Sequence, residues 1–126
     1  MAVASYDIVT FDGFLTHWAA ERPDWAALLQ DDHHFTYGQL EEHTAKIVAM
    51  LLSLGLKKGD RIAWIGKNSD LYFALFYGAA RIGVVTVPVG WRLAPAEWAY
   101  IAKDTGARVL FAGQGFEAGV QALARD

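Results

Sequence analysis

The sequence predicts an α/β fold: a parallel sheet with helices on both faces, preceded by an N-terminal helix and a small hairpin. Two observations carry this. From residue 61 onward, strand-length apolar runs alternate with helical stretches over short connections. Those runs, "RIAWI", "VVTVPV" and "ARVLFA", are apolar throughout, as strands covered on both faces are.

The elements follow in order. Phe11, Phe14, Leu15 and Trp18 fall at helical spacing, so an amphipathic helix is predicted over residues 11 to 21, stopped by Arg22-Pro23-Asp24. Ala26 to Gln30 and His33 to Thr36 flank Asp31-Asp32, a turn pair, and read as a hairpin. Thr36 and Gln39 form a T-x-x-Q capping box, after which Leu40, Ile47, Val48, Leu51 and Leu54 line one face of a helix that Gly55 ends. Lys57 to Asp60 is a polar turn into the strand at residues 61 to 65. Gly66 to Ser69 then leads into a helix over residues 70 to 82, which is apolar on every side and expected to be buried between layers. Its acid at the start and Arg81 at the end suit the macrodipole.

Gly83 closes that helix, and residues 84 to 89 make a second strand whose Pro88 suits an edge. "GWRLA" is a loop. Pro95 at a first helical position, with Glu97 behind it, starts a helix through Lys103; residues 107 to 112 form the third strand, and residues 116 to 124 the last helix.

Composition narrows the function. At 126 residues and 54% hydrophobic, residues 1 to 126 are a single α/β domain's worth of chain, with material for a buried core. The formal charge is -3 and the 11 basic residues are scattered, so no footprint for nucleic acid is expected. Zero cysteines exclude disulfides, thiolate metal sites and a cysteine nucleophile. The opening "MAVASYDIVTFDGF" lacks the basic and apolar regions of a signal peptide, and the longest apolar run, Leu71 to Ala80, is too short for a bilayer. No transmembrane segment and a cytoplasmic location are therefore expected.

The chemical candidates are few. His33 and His34 are adjacent in a strand and point to opposite faces, while His17 and His43 sit on separate helices without ligand spacing, so no metal site is assigned. The acids at 31, 32, 41 and 42 occupy a turn and a first helical turn, where acids sit for local reasons. Gly66-Lys67-Asn68-Ser69 lies where α/β proteins put ligands but lacks P-loop spacing, and Asn68 or Ser69 reads as the cap of the next helix. Gly113-Gln114-Gly115-Phe116-Glu117-Ala118 fits the relaxed G-x-G-x-x-G/A pattern. It follows the third strand, however, where a dinucleotide fingerprint belongs on the first, and reads as a bent strand-to-helix loop.

One resemblance joins these pieces. Thr36-Tyr37-Gly38-Gln39-Leu40, Gly59-Asp60-Arg61-Ile62, Asn68-Ser69, the stretch from Gly83 to Pro88, Arg92-Leu93 and Asp104-Thr105-Gly106-Ala107-Arg108 stand in an order and spacing similar to the N-terminal part of the AMP-forming acyl-CoA synthetases. That superfamily also holds peptide-synthetase adenylation domains and luciferases. The resemblance implies activation of a fatty or aryl acid with ATP to an acyl-adenylate and transfer to CoA, with ATP, magnesium and CoA used by the full-length enzyme. It also implies a phosphate loop ending in lysine, acids for ribose and magnesium, and a lysine on a mobile C-terminal domain. None of these is in the 126 residues. The expectation is an N-terminal subdomain that partners the remainder of its own polypeptide, is inactive when isolated, and forms a homo-oligomer through its uncovered apolar surface.

Gly90 and Ala94 depart from the asparagine and threonine of many relatives; the second departure removes a helix cap. No catalytic residue is assigned. The resemblance implies one ligand contact: Arg92 faces the docking region of the CoA phosphates, with pairing to a neighbouring acid as the alternative. Trp91 and Trp98 read as packing residues. Two rivals stay open: a stand-alone nucleotide-binding module using the Gly113–Gly115 turn, and a noncatalytic flavodoxin-like interaction domain.

Overall fold

In the computed structural model, residues 8–125 are described, and the first seven residues and Asp126 lie outside them. Part of the stretch read against a signal peptide therefore lies outside the described residues. The elements run α1 (Phe11–Glu21), β1 (Ala26–Gln30), β2 (His33–Thr36), α2 (Tyr37–Ser53), β3 (Arg61–Ile65), α3 (Asp70–Arg81), β4 (Val85–Val89), α4 (Pro95–Thr105), β5 (Val109–Ala112) and α5 (Glu117–Leu123).

β1 and β2 pair antiparallel, and Asp31 in their turn takes φ 51°, a left-handed conformation that aspartate tolerates. The second sheet is parallel in the order β4-β3-β5, with Trp64 of β3 opposite Pro88 on one side and Phe111 on the other. Pro88, which has no N–H to donate, stands on an edge strand.

Because strand side chains alternate, β3 feeds two cores. Ile62 and Trp64 pack with Leu51 of α2 and with Leu75 and Ala79 of α3. Ala63 and Ile65 pack on the other face with Trp98 of α4 and Val120 of α5. The sheet thus has helices on both faces. A third cluster, Leu15, Leu40 and Ala74, seats α1 on α2 and α3. Arg81 locks the same junction: its guanidinium lies 2.9 Å from Asp12 and 2.7 Å from Glu41. Burial alone would push the Arg81 proton off, and the hydrogen bonds to Asp12 and Glu41 outweigh it, holding the pKa above the ordinary arginine value.

The helix caps are local and specific. Thr36 Oγ1 accepts the Gln39 amide while Gln39 Oε1 accepts the Thr36 amide. Boundaries shift where a carbonyl claims a residue before the sheet does. Val84 donates to Ala79, so β4 starts at Val85. Gly106, at φ 65°, closes α4 at Thr105 and lets Ala107 donate back to Ala102, so β5 starts at Val109.

One expectation needs correcting. α3 is not buried on every side: Leu71 and Phe73 are 48% and 37% exposed, while Ala74, Leu75, Gly78 and Ala79 carry the contact with the core.

Candidate functional site

Strand order places a cleft. α3, leaving β3, covers one face of the sheet, and α5, leaving the neighbouring β5, covers the other. Chains that depart from adjacent parallel strands to opposite faces open a crevice at the strands' carboxyl ends, where open α/β sheets bind ligands. A cavity of about 610 Å³ lies there, lined by Trp64, Lys67, Ser69, Leu71, Gly113 and Phe116 among others.

Its floor is tight. A Cβ built on Gly66 would lie 2.8 Å from Gly113 Cα and 3.0 Å from Trp64 Cζ2, so the two loops meet backbone to backbone over an indole. The Gly113 amide donates to the Ile65 carbonyl at 2.8 Å, tying the loop after β5 to the end of β3. Trp64 is 3% exposed, stacks on Tyr72 at 5.3 Å, and its indole N–H meets no acceptor among the described residues. Burial raises the Tyr72 hydroxyl above its ordinary value.

The polar rim is largely committed. Ser69 Oγ accepts the Tyr72 amide and caps α3, the capping role read for Asn68 or Ser69. The Asn68 carbonyl accepts from the Gln30 side chain, which fastens the hairpin to the rim. In the Gly113–Gly115 turn, the Gly115 amide donates to Glu117 Oε2 at 2.8 Å. A carboxylate thus holds the N–H that a pyrophosphate would need.

Two cations are not committed. Arg92, in the loop after β4, stands over the Trp91 ring at 4.4 Å, and Lys67, in the loop after β3, places its Nζ 5.0 Å from the same ring centroid. Among the described residues neither forms an ion pair, whereas Arg108 is held by Asp60 at 2.7 Å and Arg81 by two acids. The acid partner weighed for Arg92 is not found among the described residues. Trp91 also rests against Phe116 at 6.0 Å, and Trp98 is a packing residue, 7% exposed, with its indole N–H donated to the Gly90 carbonyl. The convergence of Lys67 on Trp91 escaped the sequence, since it joins loops that follow different strands. The one available signal was a lysine at the carboxyl end of an apolar strand.

Among the described residues no group of three or more His, Cys, Asp or Glu is placed to hold a metal ion. No helix there is long and apolar enough to cross a membrane.

Comparison with known proteins bears on the family and the fold. Residues 15–126 match the family described as AMP-binding enzyme. The chain is 40% identical over 93 residues to the fatty acid–[acyl-carrier-protein] ligase ScoC of Streptomyces coeruleorubidus, covering 74% of this chain and 18% of that protein. It is 40% identical over 82 residues to the long-chain-fatty-acid–CoA ligase FadD13 of Mycobacterium tuberculosis, covering 65% and 16%. Among solved structures, the inhibitor-bound N-terminal domain of FACL13 from M. tuberculosis superposes with a TM-score of 0.87 at 32% identity, over 93% of this chain and 30% of that one. A benzoate CoA ligase from Burkholderia xenovorans LB400 superposes at 0.86 and 26% identity, over 93% and 24%. The chain thus spans less than a fifth of the length of these two sequence relatives.

Proposed function

Because the chain belongs to the AMP-binding enzyme family, we propose that it is the N-terminal subdomain of a ligase that activates a fatty or aryl acid with ATP and passes the acyl group to CoA. The observation that carries this reading is the match to the FACL13 N-terminal domain over 93% of the chain, at 32% identity. ATP and magnesium have no holders assigned in this chain, which contains no Ser/Thr/Gly-rich phosphate loop ending in lysine. In this reading those groups belong to the remainder of the polypeptide, and the 126 residues alone are inactive.

What these residues supply is support and one docking contact. The rigid β3-β5 junction at Gly66 and Gly113 sets the floor of the cleft, and Arg92, exposed and without an acid partner, meets a phosphate of CoA. Phosphates fit this place because a guanidinium held on an indole face keeps its N–H groups free for an anion. CoA is the acceptor in FadD13 by name, and an acyl carrier protein in ScoC. We take CoA as the acceptor here.

The test is product analysis with the full polypeptide, offered fatty and aryl acids, ATP, magnesium, and either CoA or an acyl carrier protein. The reading expects an acyl-CoA by mass spectrometry with at least one acid class. Acyl transfer to the carrier protein alone would overturn the choice of CoA, and no thioester from any combination would overturn the ligase reading itself.

A further inference from the structure

We infer that Lys67 and Arg92 are two arms of one anion site built on the Trp91 indole, which takes a ligand carrying phosphate esters. The inference rests on the ligase reading only for which phosphate ester that is. Three observations point to it. The two cations reach a single ring from loops that follow different strands, at 5.0 and 4.4 Å, which brings both charges within reach of one polyanionic ligand. Among the described residues no acid pairs with either charge, and both side chains are exposed, so a ligand meets them without breaking such a pair. The third is position: Lys67 and Phe116 line the cleft at the carboxyl ends of β3 and β5, and Trp91 packs on Phe116, so the cationic patch forms the border of that cleft.

Each part has a physical role. Two like charges near one another are held apart in solution by repulsion and by the rotamer freedom of long side chains. The face of a half-buried indole offsets both costs, since its negative quadrupole attracts each cation and limits the geometries it samples. Trp91 is thus a positioning residue for Lys67 and Arg92. Two acids at the cleft do not compete: Glu117 is turned to the Gly115 amide, and Asp70, in the lining at the first turn of α3, does not pair with Lys67. A phosphate ester brings the negative charge and the acceptor oxygens that such a pair lacks.

The experiment is titration of the chain with inorganic pyrophosphate, CoA and ATP, followed by the indole N–H resonances in two-dimensional NMR, with Trp91 assigned through Trp91→Phe. The site predicts that the Trp91 resonance moves, that Lys67→Gln and Arg92→Gln each weaken binding about tenfold, and that Trp91→Leu weakens it while Trp91→Phe restores most of it. Lys103→Gln, on α4, leaves binding unchanged. The spectra also report whether each variant is folded. Weakening confined to CoA or to ATP identifies the source of the phosphate. Loss on Arg92→Gln without loss on Lys67→Gln overturns the shared site and leaves the Arg92 contact standing. Equal binding by Trp91→Leu overturns the positioning role. A chain that binds none of the three probes overturns the inference, while the ligase reading stands or falls on thioester formation by the full polypeptide.

Discussion

Gly66 and Gly113 touch at their backbones: a Cβ on Gly66 would lie 2.8 Å from Gly113 Cα, and one on Gly113 would lie 3.0 Å from Gly66 Cα. The loops after β3 and β5 close together only because neither residue has a side chain. Gly66→Ala should therefore cost about 1–3 kcal/mol, since the added methyl group meets backbone and the buried Trp64 ring, not a flexible side chain. Gly113→Ala should cost less, its nearest contacts being slightly longer. Urea unfolding of the two variants checks the order, and an unchanged midpoint for Gly66→Ala would mean that the junction yields.

At the start of α4 half of a capping box is present. Glu97 Oε2 accepts the Ala94 amide at 2.7 Å, but Ala94 offers no oxygen in return. Thr36 and Gln39 hold the complete version at the start of α2. Ala94 already has the extended backbone of an N-cap, φ −72° and ψ 153°. Ala94→Thr should raise stability by about 0.5–2 kcal/mol. Thermal unfolding would show it as a higher midpoint, and no rise would mean that the first-turn amides gain nothing from a cap.

Asp60 gives the fold an acid limit. The Lys57 amide donates to its carboxylate at 2.9 Å and Arg108 at 2.7 Å; these hold its pKa below the ordinary value, with desolvation opposing them. A carboxyl group with a lowered folded pKa stabilises the fold above its unfolded pKa of about 4, and that stability is lost as pH falls through the folded value. Stability should thus decline on acidification below about pH 4, and Asp60→Asn should flatten that decline. A variant whose acid unfolding curve overlays the parent's would assign the decline to other carboxylates.

Much of the fold was legible because it is local. The Thr36 box, the Asp31-Asp32 turn and the Pro95 start are each written within four or five residues, and each stands where the pattern predicts. Boundaries were legible to within a residue or two, and the errors have causes: Gly106 carries α4 past Lys103, and Val84 donates to Ala79 before β4 begins. The cleft was half legible. Ser69 as a cap comes from sequence and Arg92 as a candidate contact from the resemblance, while the meeting of Lys67 with Trp91 and Arg92 depends on β4 lying beside β3. No spacing rule reports that order. The exposure of Leu71 and Phe73 was hidden for a different reason: an apolar helix shows no period from which to tell its outer face.

Association follows from what the sheet leaves open. Among the described residues the outer edge of β5 has no neighbouring strand, while the opposite edge is blunted by Pro88, and Leu29, Leu71 and Phe73 are exposed near the hairpin and α3. The isolated chain should form dimers or larger species at micromolar concentration, with β5 as the growing edge. Sedimentation velocity over a concentration series tests this, and a monomer at every concentration would contradict it.

The central claim is that these residues are the supporting part of an acid-activating ligase whose reactive groups lie elsewhere in its polypeptide. Acid-dependent exchange of labelled pyrophosphate into ATP tests it most directly, run in parallel on the 126-residue chain and on the full polypeptide. The account predicts exchange by the full polypeptide with a fatty or aryl acid and none by the chain alone. Exchange by the pure chain, or its absence from the full polypeptide with every acid of both classes, would contradict it.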